Sequence, residues 1–308
     1  MSSAFEKVII SIEIVEILIG IWGNGFIFLV ICADWIKTKK ITLLDFILMC
    51  LAVSRIGVIY LLLQDSIIIV FYPKLYETNL MVAITLGFLW SLNNSLGTWC
   101  ATCLSVYYFL KLSNFSHPFF LWLKWRRDRV VFTILFGFFF SFLANLLNIK
   151  WNTVWVHEYL KMERNLTLKA WLNENPSFDH QIFLNWDCFI PFVVSVISFF
   201  LLIFSLWRHI RQMMHHTTGS GHLNIEVHVR ARNTMISFIL LLVVHYLASF
   251  LVMWCYAKLD NTVSVIIAEM VALFYPSIHP FNMILGNRKM RQTFVNVLKQ
   301  MESYIKGL

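Results

Sequence analysis

Several polar side chains interrupt long apolar stretches of this sequence, and their types suit ligand binding better than catalysis. Trp90, Ser91 and Asn94 lie in one stretch, while Asp65 and Glu269 lie in two others. An indole offers an apolar face with one N–H donor, an amide offers a donor and an acceptor, and a carboxylate can pair with a cation. We expect these five residues to contact an apolar molecule that carries hydrogen-bonding groups.

Nothing in the sequence predicts an enzyme or a metal site. The segment His157 to Lys161 begins like the zinc motif HExxH but ends in lysine, and no nucleophile lies near a suitable base. The 6 cysteines lie in apolar segments or at their ends, so we expect free thiols. We therefore expect no cofactor and no metal.

The composition is that of a protein with several membrane spans. Of 308 residues, 59% are hydrophobic and only 14% are charged, which is too little charge for a soluble surface. The net charge of +8 could indicate nucleic acid binding, but the basic residues lie in short loops between apolar runs. Membrane orientation explains them better, and we expect no nucleic-acid partner.

Seven apolar runs are long enough to cross a bilayer, so we predict an all-α, seven-transmembrane helix bundle that forms one domain over residues 1–308. The first run is too long for a signal peptide and is expected to remain as a span. The predicted spans are approximately 8–33, 42–71, 80–110, 130–150, 182–207, 233–257 and 262–285.

The distribution of basic residues predicts the orientation of the bundle. Most Lys and Arg residues follow the first, third, fifth and seventh spans, so these ends should face the cytoplasm and the N-terminus should be extracellular. After the last span, residues 288–301 place apolar residues at i, i+4, i+7 and i+8 with basic residues between them. We predict a short amphipathic helix on the anionic inner leaflet.

The third span is the central element of this prediction. A stripe of small or polar residues follows helical spacing along it, comprising Trp90, Asn94, Gly97, Ala101, Ser105 and Tyr108. We expect this stripe to face the bundle interior, because polar groups facing lipid are costly. Trp90, Asn94, Asp65 and Glu269 have similar predicted depth, so they could line one cavity open to the outside. A polar network between helices without a ligand is the alternative.

Other buried polar residues are better explained by structural or switching roles. Asn24 lies between two glycines in the first span, and Arg55 lies about halfway along the second. A charge at that depth must be hydrogen-bonded to neighbouring helices, so we expect Arg55 to act in packing and switching. Prolines 276 and 280 should free backbone carbonyls in the seventh span.

Five segments, distributed over nearly the whole chain, resemble those of the type 2 bitter taste receptors, a family of G-protein-coupled receptors. They are Gly23–Ile27 (GNGFI), Leu51–Arg55 (LAVSR), Ala101–Ser116 (ATCLSVYYFLKLSNFS), Leu201–Met213 (LLIFSLWRHIRQM) and Ile284–Met290 (ILGNRKM).

The resemblance implies a function and several residue roles. Members of the family bind diverse bitter small molecules in an outer cavity of a multi-pass plasma-membrane receptor and activate a gustducin-type heterotrimeric G protein. Trp90 and Asn94 match the family's ligand contacts in the third span, and Glu269 matches a ligand contact in the seventh. Arg55 matches a family arginine, and Asn165 matches the usual glycosylation site of the second extracellular loop.

The sequence departs from the family at two places. His245, which we place among the ligand contacts, stands where the family often has a tyrosine that acts as an activation switch. The seventh span reads His279-Pro280-Phe281 where the family usually has HSF. We assign Tyr108, Lys111 and His279, with Asn24 and Arg55, to structural or switching roles.

Two other protein classes share parts of this pattern. A vomeronasal-type pheromone receptor would share the topology, but segments 51–55 and 101–116 favour the bitter receptors. A transporter would show paired halves with matched broken helices, and the sequence shows no such internal similarity.

Overall fold

The computed structural model describes residues 3–72, 75, 80–113, 115–162, 186–216, 236–238, 240–248, 251 and 262–306. These residues are helical apart from short connections. The helices are α1 (Ser3–Thr38), α2 (Leu43–Phe71), α3 (Leu80–Leu112), α4 (Pro118–Trp125), α5 (Arg127–Met162), α6 (Trp186–His216), α7 (Ile236–Ala248), α8 (Thr262–Gly286) and α9 (Arg288–Lys306). Several helices run past the predicted apolar stretches, because polar residues at the bilayer surface can continue a helix.

Four described helices contain segments long and apolar enough to cross a membrane: Ser11–Thr38, Leu43–Ile68, Arg127–Leu147 and Phe189–Arg208. Large apolar side chains on their outer faces, such as Leu29, Phe140 and Phe200, are exposed at the surface of the bundle. In a bilayer these side chains contact lipid, as the hydrophobic composition predicts.

Local sequence signals define where several helices begin. Thr42 precedes α2, and its Oγ1 both accepts from the Asp45 N–H at 3.1 Å and donates to the Asp45 carboxylate at 2.7 Å. Thr42 is therefore the N-cap of α2, because its hydroxyl satisfies one of the free N–H groups in the first turn. Asn287 begins α9 in a similar way, since its Oδ1 accepts from the main-chain N–H groups of Lys289 and Met290.

Helix α3 lies at the centre of the bundle and packs against α2, α5 and α6. Its small and polar stripe faces inward: Ala101 and Ser105 are buried, and Thr102 bonds to Ser195 Oγ and to the Pro191 carbonyl, both on α6, at 2.8 Å. One apolar cluster, which includes Leu104 and Leu110, fills the cytoplasmic half of the bundle.

Asn24 joins α1 to the seventh span, α8. Its Nδ2 donates to the carbonyl of Gly20 on its own helix and to the carbonyl of Pro276 on α8, both at 2.8 Å. Pro280 has no N–H, so the Pro276 carbonyl four residues earlier lacks its usual helical partner. Asn24 Nδ2 replaces that partner, and α8 continues to Gly286 although it contains two prolines.

The amphipathic helix α9 packs against the cytoplasmic half of α1 through the beginning of its apolar face. Met290 is buried, and the Phe294 ring lies 5.4 Å from the Trp22 ring and 5.5 Å from the Phe26 ring. Lys289 pairs with Asp34 at 2.6 Å. The later apolar residues of α9 are exposed, which suits a helix whose far end lies on a bilayer surface.

Candidate ligand cavity and its polar network

A cavity in the middle of the bundle is lined by α2, α3, α7 and α8. Its polar lining includes Arg55, Asn93, Asn94, His245 and Tyr275. The remaining lining residues are small or apolar: Leu51, Ser54, Val58, Gly97, Thr98, Ala101, Leu242 and Pro276. The space holds about one or two water molecules. A drug-sized ligand would therefore have to displace side chains that now meet there.

Asn94 and His245 contact each other across this cavity. Asn94 Oδ1 lies 3.2 Å from His245 Nε2. A carbonyl oxygen only accepts, so the contact requires a proton on Nε2. The imidazole also stacks on the Tyr275 ring, with centroids 4.6 Å apart and planes inclined by 27°. The network thus links α3, α7 and α8.

Arg55 completes the network from α2. Its Nη1 donates to His279 Nδ1 at 2.8 Å, and its Nη2 donates to the Tyr275 hydroxyl at 2.9 Å. Because a guanidinium only donates, Nδ1 of His279 must accept, and this imidazole is neutral with its proton on Nε2. Arg55 is thus hydrogen-bonded to two side chains of α8, and it also lines the cavity.

The residues that we expected to contact a ligand lie in four different environments. Trp90 packs beside the apolar cluster of Ile17, Val58, Ile59, Leu62 and Leu273. Ser91 faces α5 and donates to Asn145 Oδ1 at 2.7 Å. Of our expected ligand contacts, Asn94 and His245 lie on the cavity.

Glu269 belongs to a separate buried cluster between α1, α2 and α8. Its Oε2 accepts from Ser66 Oγ at 3.0 Å, and the same hydroxyl lies within hydrogen-bonding distance of Glu13 Oε1. Both carboxyl groups are buried. Asp65, next to Ser66, is half-buried. A hydroxyl has one proton, so Ser66 can donate to only one of the two carboxyl groups at a time.

Tyr108 and Lys111 lie at the cytoplasmic end of α3, far from the cavity. Tyr107 stands between them: its ring meets the Tyr108 ring edge to face, and Lys111 Nζ lies 5.6 Å from its centroid. Arg127 at the start of α5 approaches the same ring at 4.9 Å. Cation–π contacts therefore join the ends of α3 and α5.

The predicted glycosylation site, Asn165, lies outside the described residues.

Sequence reasoning did not find Tyr275 or Ser66. Tyr275 lies four residues before His279, so the two side chains share one face of α8, and both reach Arg55. That spacing was a usable signal. Ser66 had no such signal, because buried serines are common in membrane helices.

Among the described residues, no group of three or more His, Cys, Asp or Glu side chains could hold a metal ion.

Comparison with known proteins gives the family. Residues 1–302 match the family described as "Taste receptor protein (TAS2R)". The chain is 41% identical to taste receptor type 2 member 7 of Macaca mulatta over 310 residues, covering 100% of this chain and 97% of the relative. It is 38% identical to taste receptor type 2 member 9 of Homo sapiens over 310 residues, covering 99% and 98%. The chain belongs to the TAS2R family of bitter taste receptors, which are multi-pass, seven-transmembrane G-protein-coupled receptors.

Proposed function

We propose that this receptor binds bitter small molecules in the cavity bounded by Asn94, His245 and Arg55, and that it activates a gustducin-type G protein. The hydrogen bond between Asn94 and His245 supports this proposal most strongly. It crosses the cavity between α3 and α7, and a ligand with one donor or acceptor can compete for it. Agonists should be largely apolar, because most of the surface that the lining residues present to the cavity is apolar.

A ligand that separates Asn94 from His245 would also change the contacts between α2 and α8. The cavity is small, so entry requires His245 to move, and His245 stacks on Tyr275. Tyr275 in turn bonds to Arg55, which holds His279. Movement of one imidazole therefore changes how α2 and α8 are joined. From Asn94, helix α3 runs about 27 Å further to its end at Leu112, at the cytoplasmic surface where the G protein is proposed to bind.

A calcium-release assay tests the proposal. Cells would express the receptor with a promiscuous Gα chimera that carries the gustducin C-terminus, and they would be given a panel of bitter compounds. At least one compound should release calcium in receptor-expressing cells and not in mock-transfected cells. Surface-expressed receptor that responds to no compound would contradict ligand binding. A response through other Gα chimeras but not through gustducin's would contradict only the choice of G protein.

Glu269 is proposed as a second contact, for agonists that carry an amine. A cationic amine that reached it would substitute for the Ser66 hydroxyl at 3.0 Å. Glu269→Gln should then weaken amine agonists and leave neutral agonists unchanged. An equal loss for both classes would assign Glu269 to helix packing.

Trp90, Asp65 and Ser91 remain proposed ligand contacts only for molecules large enough to extend beyond the cavity. Trp90 is half-buried and Asp65 lies next to Ser66 in the outer half of α2.

Asn165 is proposed to carry an N-glycan, and Asn165→Gln should abolish the glycosidase-sensitive shift on a gel.

A further inference from the structure

The short helix α4 exposes a face made only of large apolar side chains. Phe119, Leu121, Trp122 and Trp125 are exposed by 62%, 52%, 47% and 83%. A solvent-facing helix surface of a cytoplasmic loop normally carries polar residues. These four residues instead form one side of the helix, and none of them is polar.

The opposite side of α4 is fixed by packing, so the helix cannot rotate to bury those residues. The buried Phe120 ring lies 5.4 Å from Phe109 on α3 and 5.2 Å from Phe115 in the connecting loop. Lys124 Nζ donates to the Ser113 carbonyl at 2.9 Å. The apolar face therefore points away from the bundle.

The position of α4 places this face at the edge of the bilayer. The helix lies between the cytoplasmic end of α3 and the membrane segment of α5, which begins at Arg127. Trp125 precedes that segment by two residues, so its Cα lies within about 7 Å of the first Cα of that segment. Tryptophan is enriched at this depth of the membrane, where its ring contacts acyl chains and its N–H reaches polar headgroups.

Basic groups border the aromatic face. The Arg126 guanidinium carbon lies 4.8 Å from the Trp122 ring centroid and 6.0 Å from that of Trp125. Arg129 is exposed one turn further along α5. Apolar rings next to guanidinium groups match the inner leaflet of a plasma membrane, which presents acyl chains beneath anionic headgroups.

We propose that α4 is an in-plane membrane helix that inserts Phe119, Leu121, Trp122 and Trp125 into the inner leaflet and binds anionic phospholipid headgroups through Arg126 and Arg129. Its contacts with Phe109 and Ser113 connect this anchor to the cytoplasmic end of α3. Anionic lipid therefore helps to set the position of that end, on the side of α3 that faces α5.

Environment-sensitive labels on the full-length receptor test this insertion. Leu121→Cys and, as a matched control in the loop between α1 and α2, Lys40→Cys would carry an NBD fluorophore in nanodiscs, with signal from the native cysteines subtracted using the unsubstituted receptor. The label at 121 should emit at shorter wavelength and be quenched by nitroxide lipids more than by aqueous iodide. The label at 40 should show the reverse. Equal iodide quenching at both positions would overturn the proposal.

Lipid charge provides a second measurement. Replacing part of the phosphatidylcholine by phosphatidylserine should increase nitroxide quenching at 121, and Arg126→Gln with Arg129→Gln should abolish that increase. Trp122→Phe keeps an apolar ring and should retain insertion, which separates insertion from misfolding. If the label at 121 is shielded only after a purified G-protein heterotrimer is added, the face binds the G protein and the lipid proposal is wrong.

Discussion

Arg55 and Tyr275 contact each other in two ways. The Arg55 Nη2 donates to the Tyr275 hydroxyl at 2.9 Å, and the guanidinium carbon lies 4.8 Å from the centroid of the same ring. The His245 ring also stacks on the Tyr275 ring, with centroids 4.6 Å apart. Tyr275 therefore connects His245, which lines the cavity from α7, with the buried charge of Arg55 on α2.

Tyr275→Phe should separate ligand binding from signalling. The substitution removes the hydrogen bond to Arg55, worth about 1.5–3 kcal/mol for a charged donor, but keeps the ring beneath His245. We expect an unchanged agonist EC50 and a reduced maximal calcium response at equal surface expression. Tyr60→Phe on the exposed face of α2 is the matched control and should change neither. A shifted EC50 with full maximal response would contradict this role of the hydroxyl.

Asn94→Ala should raise agonist EC50 by roughly tenfold, the equivalent of one hydrogen bond. His245→Ala should have a similar effect, and the double substitution should cost less than the sum, because the residues contact each other. Thr133→Ala is the control, since Thr133 is exposed on α5 and its hydroxyl donates to the Arg129 carbonyl of its own helix. Calcium dose–response curves for the unsubstituted receptor and the four variants give the result. Additive losses would show that the two residues act independently.

Asn24→Ala should destabilise the purified receptor by about 1–3 kcal/mol, because it leaves the Pro276 carbonyl buried without its side-chain partner. Pro280→Ala restores a main-chain N–H that can bond to that carbonyl. In the Pro280→Ala background, Asn24→Ala should therefore cost less. Thermal unfolding of the four proteins in one detergent measures this difference. The same cost in both backgrounds would mean that Asn24 stabilises the bundle through Gly20 alone.

Gly20→Ala and Gly25→Ala should differ sharply although both lie in α1. A Cβ at Gly20 would lie 2.6 Å from Ile59 Cδ1 and 3.3 Å from the Ser277 Cα, whereas a Cβ at Gly25 meets nothing within 4 Å. Overpacking at position 20 should cost about 1–3 kcal/mol, while alanine at position 25 should be neutral or slightly stabilising. Melting temperatures of the two variants test this contrast, and equal values would argue against close contact of α1 with α2 and α8.

The sequence alone was sufficient for the architecture and the family. Length and apolar composition predicted membrane helices, because every backbone group in a bilayer must be hydrogen-bonded within the protein. Periodicity of 3.6 residues places the Asn94, Ala101 and Ser105 side chains of α3 on one face, and all three are buried. Only the structure shows that Cys103, Leu104 and Val106 on the other faces are buried too, because α3 packs against α2, α5 and α6. The motifs around Arg55 and Tyr107 indicated the family, and comparison over residues 1–302 confirmed it.

Only the tertiary structure decided which of the polar residues meet. Depth along each helix suggested one shared cavity for Asn94, Asp65 and Glu269, but depth contains no information about rotation between helices. Packing turned Glu269 toward Ser66 and Glu13, and it turned Asn94 toward His245. Tyr275 belongs to the network because its hydroxyl accepts a hydrogen bond from Arg55. The Arg55 charge is buried between α2, α3 and α8, where a hydrogen-bond acceptor on a neighbouring helix offsets the cost of burying it. Periodicity determines the face of a single helix, whereas contacts between helices depend on their relative positions in three dimensions.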